Sequence, residues 1–315
     1  MLTAIITGAQ GFLGRYIAAE FVARGWNVIG LDRNAASQEG APPLRLHEAR
    51  TMDLRSGSLD SLLSEKAPAL IVHAAGSSSV SDSMADPCGD FENGVGMLFY
   101  VLNAVRRCAP TCRVLFLSSA SVYGNPDSLP VSEDAPSRPI SSYGFHKLLC
   151  ETLLQEFHSV YGVRSCAIRI FSAYGPGLRR QVLWDICQSA LTRRSFELFG
   201  TGDETRDFVH ARDVARAVRI VSENATFRAE AYNVATGKET RIADLAGTIV
   251  SRLATDSVFT FSGSRRLGDP IHWRADITRI SRLGYRAQVP LEEGVREYTE
   301  WVHEIKESRQ QPERM

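Results

Sequence analysis

The sequence predicts a doubly wound α/β fold, a parallel Rossmann-type sheet covered by helices on both faces, with a smaller carboxy-terminal lobe interleaved with it. Three observations carry this. Apolar runs of strand length alternate with amphipathic stretches of helical length. Those runs are apolar throughout instead of alternating with polar residues, as strands buried on both faces require. Beyond Phe171 the rhythm breaks, and glycine, proline and arginine punctuate shorter elements.

The elements follow in order. "LTAIIT" is a strand, the run from Gly11 to Arg24 a helix and "NVIGLD" the next strand. "ALIVHAA" precedes a helix from about Asp90 to Arg107, and "RVLFLSS" follows it. "SSYGFHK" opens a helix that runs to about Tyr161, ahead of "RSCAIRIF". "FVHARDVARAVRIV" reads as a strand end entering a helix capped near Asp213, and "KESRQQPERM" as a solvated tail. The sheet domain is expected over 1–172 with a return at about 207–233, and the lobe over about 173–206 and 234–315.

Composition excludes several classes of function. With 315 residues, 44% hydrophobic, the chain can bury a substantial core. Its formal net charge is zero, so no basic field invites nucleic acid or an anionic membrane. Pairs such as Arg179-Arg180 and Arg265-Arg266 leave room for a small anionic ligand. No apolar run reaches the ~20 residues of a membrane span, and the opening "MLTAIITGAQG" lacks the basic start and cleavage site of a signal peptide. The six cysteines show no C-x-x-C and no histidines at zinc spacing, so we expect free thiols in a reducing cytoplasm and no metal.

Chemistry concentrates in a few stretches. In "TGAQGFLG", Gly8, Gly11 and Gly14, with Phe12 and Leu13 between the last two, sit between a strand and a helix. Bare backbone there lets amide N–H groups and a helix amino terminus approach a pyrophosphate. Asp32 ends the next strand, where a carboxylate accepts hydrogen bonds from an adenosine ribose and repels a 2′-phosphate. This favours NAD over NADP, although Arg33 beside it is a residue able to neutralise a 2′-phosphate. Tyr143 and Lys147 stand four apart, one above the other on a helix face. By itself that spacing fits either a surface pair or a proton-transfer centre.

The ordered set "TGAQGFLG", "MDLR", "HAAG", "LSSASVYG", "YGFHK" and "RDFVHARDVA" resembles an extended short-chain dehydrogenase/reductase. The likeness is closest to the nucleotide-sugar epimerase/dehydratase group, the UDP-galactose 4-epimerase-like proteins, and it extends from about residue 5 to Trp301. It implies that Asp53 and Leu54 lie along the adenine, and that Ala74, Ala75 and Gly76 form a wall beneath the dinucleotide. Ser119 takes the slot of the catalytic Ser/Thr, Tyr143 becomes the catalytic base or acid, and Lys147 holds the nicotinamide ribose. A free tyrosine titrates near ~10, so an adjacent ammonium that stabilises the phenolate suits that task. The resemblance further implies substrate contacts from Ser78, Ser119, Ser172, Gln181, Phe199, Arg206 and Arg266, the two arginines gripping a nucleotide diphosphate. Trp273 is expected near the sugar or in the core, and His146 is read as structural. It also implies a homodimer paired through the helices at about 90–107 and 143–160, with Leu98, Val101, Leu102, Leu148, Leu149 and Leu153 at the seam.

The family pattern is broken in three places. Ser172 stands where an asparagine is usual, and Gly94, beside Asn93, takes the slot of another. Ala120 and Ser121 replace the Asp-Glu pair of the 4,6-dehydratases, and neither is a general acid near neutral pH, which argues against water elimination. The resulting expectation is an NAD-dependent nucleotide-sugar epimerase acting at C4. A 4-ketoreductase using NAD(P)H, a decarboxylase and a non-catalytic dinucleotide sensor stay open.

Overall fold

The computed structural model describes residues 1–33, 40–41, 43–56 and 58–310. Strands β1 (Thr3–Thr7), β2 (Asn27–Asp32), β3 (Glu48–Thr51), β4 (Leu70–His73), β5 (Arg113–Ser119) and β6 (Arg164–Ile170) are followed by β7 (Ser172–Tyr174), β8 (Ser195–Leu198), β9 (Thr205–Arg206) and β10 (Phe208–His210). β11 (Arg228–Val234), β12 (Thr240–Arg241) and β13 (Val258–Phe261) complete the set. The main helices are α1 (Phe12–Ala23), α2 (Ser58–Lys66), α3 (Val80–Ala85), α4 (Pro87–Phe91), α5 (Met97–Cys108), α6 (Ser142–Tyr161), α7 (Gln181–Thr192), α8 (Ala211–Asn224), α9 (Ile242–Arg252), α10 (Thr278–Ser281) and α11 (Leu291–Gln310).

Seven strands form one parallel sheet in the order β11-β6-β5-β4-β1-β2-β3. The order reverses between β1 and β4, so their carboxyl ends splay apart into the crevice where open α/β sheets bind ligands. One face is covered by α1 and α8, through Ile17, Phe21, Val214, Val218 and Val221. The other is covered by α2, α5 and α6, through Leu59, Leu63, Leu98, Val101, Leu102 and Leu154. A separate apolar cluster in the lobe joins α7, α9 and α11 around Leu183, Ile186, Leu245, Ile249 and Tyr298.

The structure corrects several details of the sequence reading. The run expected as one helix from Asp90 is α4, a π-helical turn at Glu92–Gly96 and α5; "ENGVG" places two glycines where regular pairing loosens. The cap of α8 is His210, whose ring accepts the Arg212 N–H. Asp213 instead turns inward and accepts the Gln288 and Val289 N–H groups. Of the expected tail, "KESRQ" continues α11, where Lys306 donates to the Leu191 carbonyl, and 311–315 lie outside the described residues. Leu98, Val101 and Leu102 are fully buried against their own sheet, so they cannot form a subunit seam. All six cysteines are free. Among the described residues no helix is long and apolar enough to cross a membrane.

Candidate active site

The glycine loop is bare because backbone fills the space where side chains would go. Gly8 has φ +68°, and a Cβ there would lie 2.8 Å from the Ala75 nitrogen. A Cβ on Gly14 would meet the Gly8 oxygen at 2.0 Å, so α1 sits against the strand it leaves. No side chain caps α1; Gly11 occupies that position in extended conformation. The first amides of α1 therefore have no acceptor within the helix and suit a phosphate.

Asp32 closes the far end of this cradle. Its Oδ2 accepts the Gln10 N–H at 2.7 Å, which ties the end of β2 to the loop. Burial pushes its carboxyl up, while the Gln10 amide and Arg15 pull the other way. It lines a cavity of about 530 Å³ with Gln10, Arg15, Ala49 and Thr51. Arg33 reaches across the crevice and donates to Asn93 Oδ1 at 3.0 Å. Beyond it Asp53 holds Arg55, whose hydrogen bonds bring the Asp53 carboxyl down to about 2. Leu54 is buried, and Ala74, Ala75 and Gly76 follow β4, with the Ala75 N–H on Thr7 Oγ1. The cradle thus offers what a dinucleotide needs: bare glycines, a helix amino terminus and a fixed carboxylate.

The reactive end lies where β5 meets α6. Ser141 caps α6 by accepting the Gly144 N–H at 3.1 Å, and the Tyr143 N–H donates to Ser83 Oγ. Gly144 is required there, because a Cβ would stand 2.6 Å from the Ser121 carbonyl oxygen. The Lys147 ammonium donates to the Leu117 carbonyl at 2.9 Å and lies 5.5 Å from the Tyr143 ring centre. Ser119, two residues beyond Leu117, ends β5, and its Oγ accepts the Ser121 N–H. His73 is stacked on Phe116, under Lys147, and burial with the Lys147 charge pushes it down to about 3, so it stays neutral. Tyr143, Lys147 and Gly94 line one small cavity. Asn93 instead holds Arg33 and the Gly89 carbonyl. His146 pairs with buried Asp90. Ala120 and Ser121 are buried, with no carboxylate in the dehydratase positions.

On the lobe side, Arg206 donates to the Ile271 carbonyl and lies over the Trp273 ring, while Trp273 is core and donates to the Gly124 carbonyl. Burial pulls the Arg206 guanidinium below its usual range, against Asp269 and Glu204. Arg266 covers exposed Phe199 at 4.2 Å and lies 3.6 Å from Asp185. Burial pushes the Asp269 carboxyl up, and the charges of Arg206 and Arg266 oppose that rise. Ser172 begins β7, and exposed Gln181 opens α7 at φ +67°, a strained conformation for a side-chain-bearing residue. Ser78 accepts a hydrogen bond from Arg180 Nη2 at 2.6 Å. In the sequence Arg180 stands out only as half of a basic pair, since nothing local says which arginine meets Ser78.

Residues 4–235 match the description "NAD dependent epimerase/dehydratase family". The chain belongs to that family. A UDP-glucose 4-epimerase of Mycolicibacterium smegmatis is 32% identical, over 94% of this chain and 97% of its own length. Among solved structures, a UDP-N-acetylglucosamine 4-epimerase from Methanobrevibacter ruminantium, in complex with UDP-N-acetylmuramic acid, superposes with a TM-score of 0.87 at 26% identity, covering 96% and 99% of the two chains. MoeE5 in complex with UDP-glucose and NAD gives a TM-score of 0.84 at 29% identity with the same coverage. Membership of this epimerase/dehydratase family agrees with the resemblance read from the motifs.

Proposed function

We propose that this protein is an NAD-dependent nucleotide-sugar epimerase that inverts C4 of a UDP-sugar through a transient 4-keto sugar. The observation that carries the reading is the Lys147 ammonium, held by the Leu117 carbonyl beside the Tyr143 ring at the end of β5. NAD, when bound, supplies the hydride acceptor and donor. Tyr143 takes the proton of the C4 hydroxyl as C4 is oxidised and returns it on reduction. Lys147 favours negative charge on the phenolic oxygen and keeps two further donors for a ribose. Ser119 orients the same substrate oxygen. The glycine loop with Phe12 and Leu13, Asp32, Arg33, Asp53, Leu54 and residues 74–76 cradle NAD, whose free ribose hydroxyls suit Asp32.

The sheet domain, 1–172 with 207–233, carries the cofactor, and the remaining lobe carries the UDP-sugar. Arg206 and Arg266 grip the diphosphate, with Ser78, Ser172, Gln181 and Phe199 around it. That grip must persist while the keto sugar turns over to present its other face. Two copies pair through α4, α5 and α6, where Phe91, Phe99, Tyr100, Phe145 and Leu149 are exposed on neighbouring helices. The test is to incubate the purified protein with UDP-glucose, UDP-N-acetylglucosamine and UDP-glucuronic acid and follow the C4 proton by NMR. We expect an equilibrium mixture of C4 epimers from at least one of them, with bound NAD unchanged. Stoichiometric consumption of NAD(P)H by a 4-keto sugar without epimerisation would replace this reading with a reductase.

A further inference from the structure

Tyr143 and Lys147 come from a helix, whereas Ser119 comes from a strand. A shared substrate oxygen demands that helix and strand keep their relative rise and rotation to a fraction of an ångström. The apolar contacts under α6, through Cys150, Leu154 and Phe157, are non-directional and leave sliding cheap. Gly144 fixes only the first turn.

Two turns further on, Glu151 makes a directional contact. It follows Lys147 by four residues and Tyr143 by eight, so it lies on the same side of α6. Its side chain is buried, and Oε1 accepts from Ser118 Oγ at 2.5 Å. Arg169 Nε donates to Oε1 at 3.1 Å, and Nη2 donates to Oε2 at 2.7 Å, a two-pronged grip. Ser118 and Arg169 are direct partners in the β5–β6 register, and Ser118 immediately precedes Ser119. The helix is therefore clamped to the two strands one residue short of the predicted catalytic serine.

The clamp extends into the lobe. Arg169 Nη1 donates to the Tyr123 hydroxyl at 2.8 Å and to the Glu133 carbonyl at 3.0 Å. Tyr123 donates to Asn233 Oδ1, and the Asn233 amide donates to the Val131 and Asp276 carbonyls. Val131 and Ala275 bridge backbones next to Trp273, the ring under Arg206. A chain of buried hydrogen bonds thus connects the helix of Tyr143 with the segment beneath a proposed diphosphate arginine.

Stability alone does not call for such a device. A buried ion pair replaced by apolar side chains of similar volume often leaves a protein as stable as before, so its use is directional. We propose that Glu151, gripped by Ser118 and Arg169, is a positioning residue that sets Tyr143 and Lys147 against Ser119. The proposal rests on the reading of those three residues as the catalytic set.

The experiment compares the parent with Ser118→Ala, Ser118→Thr and the double variant Glu151→Leu/Arg169→Met, which removes both charges together. Tyr143→Phe is run alongside. The double variant is expected to unfold near the parent midpoint, to keep its NAD content and its KM for the UDP-sugar, and to lose ten- to hundredfold in kcat. Its crystal structure should show α6 displaced along β5. Ser118→Ala should lose kcat less, again at unchanged KM, and Ser118→Thr should restore most of it. A folded double variant with parental kcat overturns the proposal, as does a loss of kcat with α6 unmoved or with NAD content falling in parallel. If the double variant does not fold, Ser118→Ala decides, because it deletes one oxygen only: parental kcat there overturns the proposal. An active Tyr143→Phe would strike the catalytic reading itself; an inactive one beside fully active Ser118 and Glu151 variants would strike only the positioning role.

Discussion

In the sheet half of the molecule, strands of four to seven residues lie in parallel register and satisfy one another's backbone. In the lobe, β9 and β12 have two residues each, and buried carboxylates take over that task. Asp207, fully buried at the boundary between the two, holds the lobe loops by accepting from the Thr236 N–H and hydroxyl, the Gly237 N–H and the Ala275 N–H. Glu204 does the same for the Thr201 and Gly202 N–H groups and adds Arg265. A ladder repeats, so losing one contact leaves the others in place. A carboxylate hub holds several loops at once, and its loss frees all of them. The half proposed to bind the cofactor is thus built by repetition, and the half proposed to bind the nucleotide sugar by single residues.

The largest effect sought lies where the two halves meet. Tyr143→Phe deletes one oxygen and leaves the Tyr143 N–H on Ser83 in place. Epimerisation should fall by about 10²–10⁴-fold, with NAD content and UDP-sugar affinity measured by calorimetry nearly unchanged. Affinity lost together with rate would mean that the residue builds the site and does no proton chemistry.

The second prediction contrasts the two halves directly. Asp207→Ala strands several buried donors and should cost about 3 kcal/mol or more in urea unfolding. KM for the UDP-sugar should rise, because Ala275, two residues from the Trp273 ring under Arg206, donates to that carboxylate. Thr7→Ala, in the sheet half, removes a hydroxyl shared by His73 and the Ala75 N–H and should cost nearer ~1 kcal/mol. Equal losses at the two sites would erase the distinction between ladder and hub.

The smallest effect concerns acid. His73, in the sheet half, and His210, at the junction with the lobe, are both pushed down to about 3, chiefly by burial. Above about 6.5, the ordinary histidine value, folded and unfolded chains both hold them neutral and nothing is lost. Below it only the unfolded chain binds the protons, so stability falls as pH drops toward 3. Each histidine contributes up to ~1.4 kcal/mol per pH unit in that window. Urea midpoints between pH 7 and 5 should show this slope, and His73→Gln should remove the share of one histidine. A slope unchanged by that substitution would place the acid sensitivity elsewhere.

Much of the sheet half was legible because its signals are local. The glycine spacing, the acid closing β2 and the apolar runs each concern residues within a few positions of one another. The lobe was less legible for the opposite reason. Arg180 meets Ser78 across 102 residues, and Asp207 meets Ala275 across 68. Leu98, Val101 and Leu102 show the limit within a single helix. An apolar residue on a helix says that it will be buried, and only the packing says against what; the exposed set proved to be Phe99, Tyr100, Phe145 and Leu149.

The sequence by itself determined the alternation of buried strands and helices, the glycine loop with its acid, and the Tyr143–Lys147 spacing, because period and short-range spacing are properties of neighbours along the chain. Tertiary structure alone decided that Arg33 turns to Asn93, that Arg206 lies over Trp273 and Arg266 over Phe199, and that Glu151 drops onto Ser118 and Arg169. Those choices follow from where a packed sheet and helix leave a buried charge to find its partner. A polar group taken out of water costs free energy until it is matched, and the match comes from whichever distant residue the fold delivers.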